Sequence, residues 1–430
     1  MLMPRAGRSA DAVADDLDAL AATDRDFRGG RTFGLVYHAR HDVEAVVAAA
    51  HDRFVWHNAL NPDAFPSLRA MTADVVSTTA WLLSGGAVGE EGAVDGEPAG
   101  FLTSGGTESL LMAVKAAKVH ERRERGITRP NIVVPLSAHA AFDKAGDYFG
   151  VEVRRVDVAP DFRADVDAMA DACDDSTVLM VGSAPQFPQG VIDPIPELAT
   201  IALDRGVGCH VDACFGGFVL PFLEVANLVQ RPWDFRLPGV TSISADAHKY
   251  GYAPKGISVI VHRSKERRRD QTFVFDGWLG GFYASPGIQG ARPGGPIAAA
   301  WAAMQYLGVI GFVELSMLAF RAREQLAAGI SAIGGLTVLG EPDVTCLAIT
   351  AAPDDATAPD VFAVADDLGE LGWHLDRQHP PEALHLTCSP VHGDNDGAVV
   401  DELLADLRHV LVQLGDGHTT DHTTRYASLE

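Results

Sequence analysis

The sequence predicts an α/β protein. It should have one large, mostly parallel sheet covered by helices on both faces, and a smaller α+β unit toward the C-terminus. Three observations carry this. First, 430 residues at 47% hydrophobic content are enough to bury one large core and one smaller one. Second, between residues 100 and 262 strand-like and helix-like segments alternate, with strands expected at 131–135, 151–158, 177–183, 208–212, 240–245 and 257–262. Such alternation calls for parallel strands joined by helical crossovers. Third, residues 335 to 415 repeat a strand-helix-strand-helix plan.

The elements follow in order. Residues 10 to 57 give two helices around the Gly29-Gly30 turn, and Leu68 to Leu83 gives a third with its apolar positions on one side. Leu110, Leu111, Val114 and Ala117 recur at helical spacing, so a further helix starts near Thr107. Residues 296 to 333 read as long helices leading out of the large unit. Leu384 to Cys388 is a strand and Asp396 to Leu414 a helix. The resulting division is an N-terminal helical segment (1–60), a large domain (61–310), a small α+β domain (311–415) and a polar, flexible tail (416–430). The chain carries no internal repeats.

Composition narrows the function. The net charge of −24 disfavours nucleic acid and anionic lipid surfaces as partners. No run of eighteen or more apolar residues stands out, so no transmembrane segment is expected, and the first ten residues lack a signal peptide's apolar core. Cys173, Cys209, Cys214, Cys346 and Cys388 show no paired metal spacing and several fall in core strands. They read as reduced thiols of a cytoplasmic protein. No metal site is expected; His418 and His422 belong to the polar tail.

The chemistry is concentrated in short blocks. The chain has six lysines against twenty-eight arginines, yet Lys249 and Lys255 share one run, Asp-Ala-His248-Lys249-Tyr-Gly-Tyr-Ala-Pro-Lys255-Gly. An amine can lose its proton and attack a carbonyl, which a guanidinium cannot. A lysine in a tight loop after a strand is where pyridoxal 5'-phosphate (PLP) can be held as a Schiff base; two surface lysines are the plainer alternative. Ser104-Gly105-Gly106-Thr107 precedes a helix, where free N–H groups and the helix dipole favour an anion such as the cofactor phosphate. An ordinary N-cap would look the same. Asp212 ends a short buried strand and could keep a pyridine nitrogen protonated, or cap a loop. His139 begins a helix after the strand 131–135 and could stack on a ring, or serve local hydrogen bonding.

Taken together, the blocks Thr-Ser-Gly-Gly-Thr-Glu-Ser (103–109), Ser-Ala-His-Ala-Ala-Phe-Asp-Lys-Ala (137–145), Gly-Ser-Ala-Pro-Gln-Phe-Pro-Gln-Gly-Val-Ile-Asp-Pro-Ile (182–195), His-Val-Asp-Ala-Cys-Phe-Gly-Gly-Phe (210–218) and His-Lys-Tyr-Gly-Tyr-Ala-Pro-Lys-Gly (248–256) resemble the sphingosine-1-phosphate lyases. So do the segments around Asn58 and Gly280 to Gly295. These lyases are a branch of the group II PLP-dependent decarboxylase family. The resemblance runs from about residue 30 to about 320 and continues weakly to 415. It implies the PLP-dependent transferase type I (aspartate aminotransferase-like) fold and PLP as cofactor. Lys249 would be the Schiff-base lysine, Asp212 the pyridinium partner, and His139 the stacking ring. Gly106, Thr107 and His248 would hold the phosphate. Ser285 would reach the cofactor of the other subunit of a homodimer with shared active sites. Tyr37 and Lys255 match residues serving the catalytic chemistry and the substrate's phosphate end, and Asn58 and Asn61 match the substrate-binding segment. One departure stands out: the lyase pattern has histidine where this chain has Asn61, and an amide can neither bind a phosphate as a cation nor shuttle a proton at neutral pH.

The resemblance implies carbon–carbon bond cleavage of a phosphorylated amino alcohol, giving an aldehyde and a small amine. The alternatives are an amino-acid decarboxylase and a non-catalytic PLP-fold binding protein. The shared cofactor machinery serves lyase and decarboxylase alike; the substrate pocket separates them.

Overall fold

The computed structural model describes residues 3–61, 63–90, 96–353, 355 and 358–414. The tail expected at 416–430 lies outside these residues. Helices α1 (Ala10–Ala21), α2 (His41–Phe54) and α3 (Pro66–Leu82) come first. Then β1 (Ala99–Thr103), α4 (Gly106–Arg125), β2 (Asn131–Pro135), α5 (Ala141–Phe149), β3 (Glu152–Val156), α6 (Val166–Asp171), β4 (Thr177–Ser183), α7 (Ile195–Arg205), β5 (Gly208–Asp212), α8 (Leu220–Val225), β6 (Ser242–Ala245) and β7 (Ser258–His262) alternate. Local chemistry sets several boundaries. Ser9 and Asp165 accept backbone N–H groups at the starts of α1 and α6, and Gly126, Gly150 and Gly206 take left-handed conformations that end α4, α5 and α7.

Strands β1 to β7 form one sheet in the order β1-β7-β6-β5-β4-β2-β3. Pairs β2–β3, β2–β4, β4–β5 and β5–β6 are parallel; β7 runs antiparallel to both β6 and β1. The sheet is therefore mostly parallel, as the alternation implies, with one reversed strand. The expected strands are present, with 151–158 shortened to β3 and 240–245 starting at Ser242. Strand β1 was not among those expected. It is a half-buried five-residue piece directly before a glycine pair, and only its pairing with β7 makes it a strand. Both sheet faces are covered: Ile132 and Val134 of β2 face one core and Val133 the other.

After β7 come α9 (Lys265–Gln271) and a two-stranded hairpin, β8 (Phe273–Phe275) with β9 (Tyr283–Ser285). The segment α10 (Gly294–Ser331) spans 38 residues and is interrupted at Gly308, whose φ of 53° only glycine adopts readily. An 18-residue window of α10 reaches a mean hydropathy of 1.5 and 39% of that window is buried, so by length and composition α10 alone among the described helices could cross a membrane. In the fold it packs on α2 and α3. Then β10 (Leu336–Val338), β11 (Cys346–Ala351), α11 (Val361–Glu370), β12 (Asp376–Gln378), β13 (Ala383–Thr387), α12 (Pro390–Gly393) and α13 (Ala398–Gln413) build a four-stranded antiparallel sheet in the order β10-β11-β13-β12. It has its own core. Phe33 from the N-terminal segment enters that core, stacked on His392 at 4.1 Å.

A contact that joins α10 to the large sheet tests the packing. Phe222 of α8 is fully buried and stacks on Phe312 of α10 with centroids 4.7 Å apart. Phe222→Ala should cost about 3–5 kcal/mol in urea unfolding at fixed protein concentration; a loss below about 1 kcal/mol would mean the site collapses without a cavity.

Candidate active site

The carboxyl ends of the parallel strands meet at one cavity of about 320 Å³. Ligands in open α/β sheets bind there, because loops leaving the strand ends diverge around a crevice. Its lining includes Ser104, Gly105, Gly106 and Thr107 after β1, Ser137 and His139 after β2, and Ser183 at the end of β4. It also includes Asp212, Cys214 and Phe215 from the end of β5, and Asp246, His248 and Lys249 after β6. Six residues singled out in the sequence thus come together: Gly106, Thr107, His139, Asp212, His248 and Lys249.

The glycine pair makes a cradle. A Cβ on Gly106 would lie 2.8 Å from an oxygen of Asp246 and 2.9 Å from the sulfur of Cys214. Glycine is needed for the backbone to pass there, at the start of the 20-residue helix α4. Glu108 fixes the cradle: its Oε2 accepts the backbone N–H of Ser104 at 2.7 Å and the Ser104 hydroxyl at 2.6 Å. Its Oε1 accepts the N–H of Ile288 at 2.7 Å, tying the cradle to the segment after β9.

Asp212 accepts the backbone N–H of Cys214 through Oδ1 at 3.0 Å, with the Ser244 hydroxyl at 3.4 Å. Its Oδ2 makes no hydrogen bond among the described residues and can receive an N–H from a ligand. Burial lowers the pKa of His139, while Asp212 raises it and Lys249 adds to the lowering. A neutral, flat ring is thus held on one wall, with Nδ1 accepting the N–H of Ala141 at 3.0 Å. The ammonium of Lys249 lies 3.0 Å from Oδ2 of Asp246, and 5.9 Å from the centre of the Phe215 ring. Burial opposes ionisation of Asp246, but the charges of Lys249 and His248 outweigh it and hold its pKa below the usual carboxylate range. Asp246 Oδ1 is buried and makes no hydrogen bond among the described residues.

Asp246, Glu108 and Phe215 were missed in the sequence. Asp246 could have been found, since it stands three residues before Lys249 in the same run. Other expected residues lie apart from this lining. Tyr37 sits beyond Phe215, edge-on to it at 6.2 Å and to Tyr250 at 5.0 Å. Lys255 donates to the His248 carbonyl at 3.2 Å and lies 5.0 Å from the centre of the Tyr37 ring. Although Lys255 reaches solvent, the protein packed around its ammonium, with the charge of Lys249, pushes its pKa down to about 8. Ser285, Asn58 and Asn61 do not line the cavity of their own chain. Ser285 Oγ donates to the Gly287 carbonyl, Asn58 Oδ1 accepts the N–H groups of Leu60 and Arg292, and the exposed Asn61 accepts the N–H of Asp63.

The donor set suits PLP. A glycine cradle at a helix start suits a phosphate, a carboxylate with an unused oxygen suits a pyridinium, a neutral imidazole suits a ring face, and a lysine amine suits an aldehyde. Filling the cradle should show it. Gly106→Val should weaken cofactor retention by about tenfold or more, the size of an overpacking penalty of about 1–3 kcal/mol, with the circular dichroism of the fold kept. Undiminished retention would place the phosphate elsewhere.

Comparison with known proteins agrees with this geometry. The pyridoxal-dependent decarboxylase conserved domain matches residues 32–349. Sphingosine-1-phosphate lyase 1 of Rattus norvegicus is 40% identical over 413 residues, 96% of this chain and 70% of the rat protein. Sphingosine-1-phosphate lyase of Oryza sativa is 41% identical, over 94% of this chain and 73% of the rice protein. The solved structure of a sphingosine-1-phosphate lyase from Burkholderia pseudomallei superposes with a TM-score of 0.89 at 39% identity, covering 96% of this chain and 93% of that one. A glutamate decarboxylase of Lactobacillus brevis shares the fold at 19% identity, with a TM-score of 0.83 and coverage of 98% and 96%. The protein is a PLP-dependent enzyme of the type I fold, and it belongs to the pyridoxal-dependent decarboxylase domain family and, within it, to the sphingosine-1-phosphate lyases.

Proposed function

We propose that the enzyme cleaves the carbon–carbon bond of a phosphorylated amino alcohol of the sphingosine-1-phosphate type, releasing an aldehyde and a small amine. One observation carries the substrate class: a second cation, Lys255, stands beside Tyr37 and next to the cavity that holds Lys249. An ammonium at that mouth suits the phosphate end of a substrate whose amine reaches Lys249. Bound PLP supplies an electron sink for the charge left when a bond at the amine-bearing carbon breaks. Lys249 would anchor the cofactor through its amine. The Asp212 carboxylate would hold a proton on the cofactor's ring nitrogen, and the neutral His139 ring would lie against it. Tyr37, beside Lys255, is placed to manage the proton of the substrate hydroxyl.

Incubating the enzyme with phosphorylated amino alcohols and, separately, with amino acids distinguishes lyase from decarboxylase: aldehyde is expected from the first and no carbon dioxide from the second. The reverse pattern would overturn the reading. Lys255 also sets a pH signature. Its ammonium is present below about pH 8 and is lost above it. KM for the phosphorylated substrate should therefore rise as pH passes through about 8, and Lys255→Met should raise KM at pH 7 and flatten that rise. A pH-independent KM in the unaltered enzyme would remove Lys255 from phosphate binding.

We also propose a homodimer with shared sites. The hairpin β8–β9 and the segment after it expose Phe273, Val274, Phe275, Trp278, Leu279, Phe282 and Ile288 together, more apolar side chain than a lone surface keeps in water. The same stretch carries Ser285, which does not line its own chain's cavity. Asn58 is tied to Arg292 of this segment and Asn61 lies three residues on; the three are proposed to serve the neighbour's site and the substrate mouth. A dimer is expected by light scattering, and Trp278→Glu with Leu279→Glu should give inactive monomers. A fully active monomer would contradict it. We place the enzyme in the cytoplasm without a membrane span. The five unbridged cysteines and the net charge of −24 support this reading, as does the packing of α10 on α2 and α3.

A further inference from the structure

Beside the active site, at the start of α2, three side chains converge that the mechanism does not use. The Nδ1 atoms of His38 and His41 lie 3.8 Å and 3.9 Å from the same oxygen, Oε2 of Glu44. All three candidate ligand atoms fall within 4.8 Å of one another. His41 and Glu44 are on one face of the first turn of α2, three residues apart, and His38 reaches them from the preceding loop. His38 is only 8% exposed, and its Nδ1 faces Glu44.

We infer that His38, His41 and Glu44 form a binding site for a divalent transition metal of the zinc type. Two imidazoles and one carboxylate are the ligand set of open tetrahedral zinc sites, with the fourth position left to water. The same set is too rich in nitrogen for magnesium or calcium, which take oxygen ligands. Zinc–ligand bonds of about 2.0–2.2 Å put tetrahedral ligand atoms about 3.4 Å apart. The two histidine–glutamate separations therefore need to close by about half an ångström and the widest of the three by up to about 1.4 Å, which side-chain rotation supplies because His41 is largely exposed. Arg28 completes the arrangement. Its guanidinium binds both oxygens of Glu44, with Nε 3.1 Å from each, and Oε2 also faces the two histidines. A ligating carboxylate is commonly held by such an outer partner. The site lies one residue from Tyr37 and shares with it a cavity walled by Tyr252 and Pro254. A bound ion would tie the Tyr37 segment to α2.

The test uses the full-length holoenzyme carrying His418→Ala and His422→Ala, so that the terminal histidines do not compete. Zinc titrated against a chelating indicator should bind at one ion per chain, and cobalt at the same site should give the visible absorption of a four-coordinate ion. His41→Ala, at an exposed position, should keep turnover of the metal-free enzyme while weakening zinc by at least about tenfold, and Glu44→Gln should weaken it likewise. Absence of stoichiometric zinc, or zinc affinity unchanged in both variants, would overturn the assignment.

Discussion

The buried ion pair between Lys249 and Asp246 is the contact around which this site is organised. The ammonium of Lys249, the expected attachment point of the cofactor, lies 3.0 Å from a carboxylate that is almost wholly sealed from water. An unpaired charge at that depth would be costly, so removing either partner leaves the other exposed to a strong desolvation penalty. The pair also sets the shape of the cradle, since the same carboxylate lies where a side chain at position 106 would go. Glycine at 106, aspartate at 246 and lysine at 249 are one solution to one packing problem.

The sheet presents these groups at the ends of its strands. Asp212, Ser183 and Thr103 are each the last residue of a strand, and the loops that follow carry the remaining side chains. Glu108 then joins two regions far apart in sequence, the cradle and the segment after β9 that is proposed to meet a second subunit. One carboxylate thus connects the proposed phosphate cradle with the proposed subunit contact.

Much of this was legible in the sequence because the information is local. Gly106, Thr107, His139, Asp212, His248 and Lys249 each sit in a short strand-to-loop block whose geometry is fixed within a few residues. What was not legible depends on distant pairing. The reversed direction of β7 and the existence of β1 follow from their contact with each other, which no window of residues displays. The break at Gly308 looks in sequence like an ordinary glycine in an apolar helix, and only its positive φ marks it. Ser285, Asn58 and Asn61 were expected at the site, and a single chain does not bring them there. The pairing of Glu44 with Arg28 and the two histidines likewise depends on how the N-terminal loop folds back on α2.

The Lys249 amine is the group expected to carry the cofactor. Borohydride treatment of the PLP-loaded protein, followed by peptide mass spectrometry, tests it most directly. A stable pyridoxyl-phosphate adduct on Lys249, with Lys255 unmodified, is the predicted result. An adduct on another lysine, or none on protein that has bound PLP, would contradict the account.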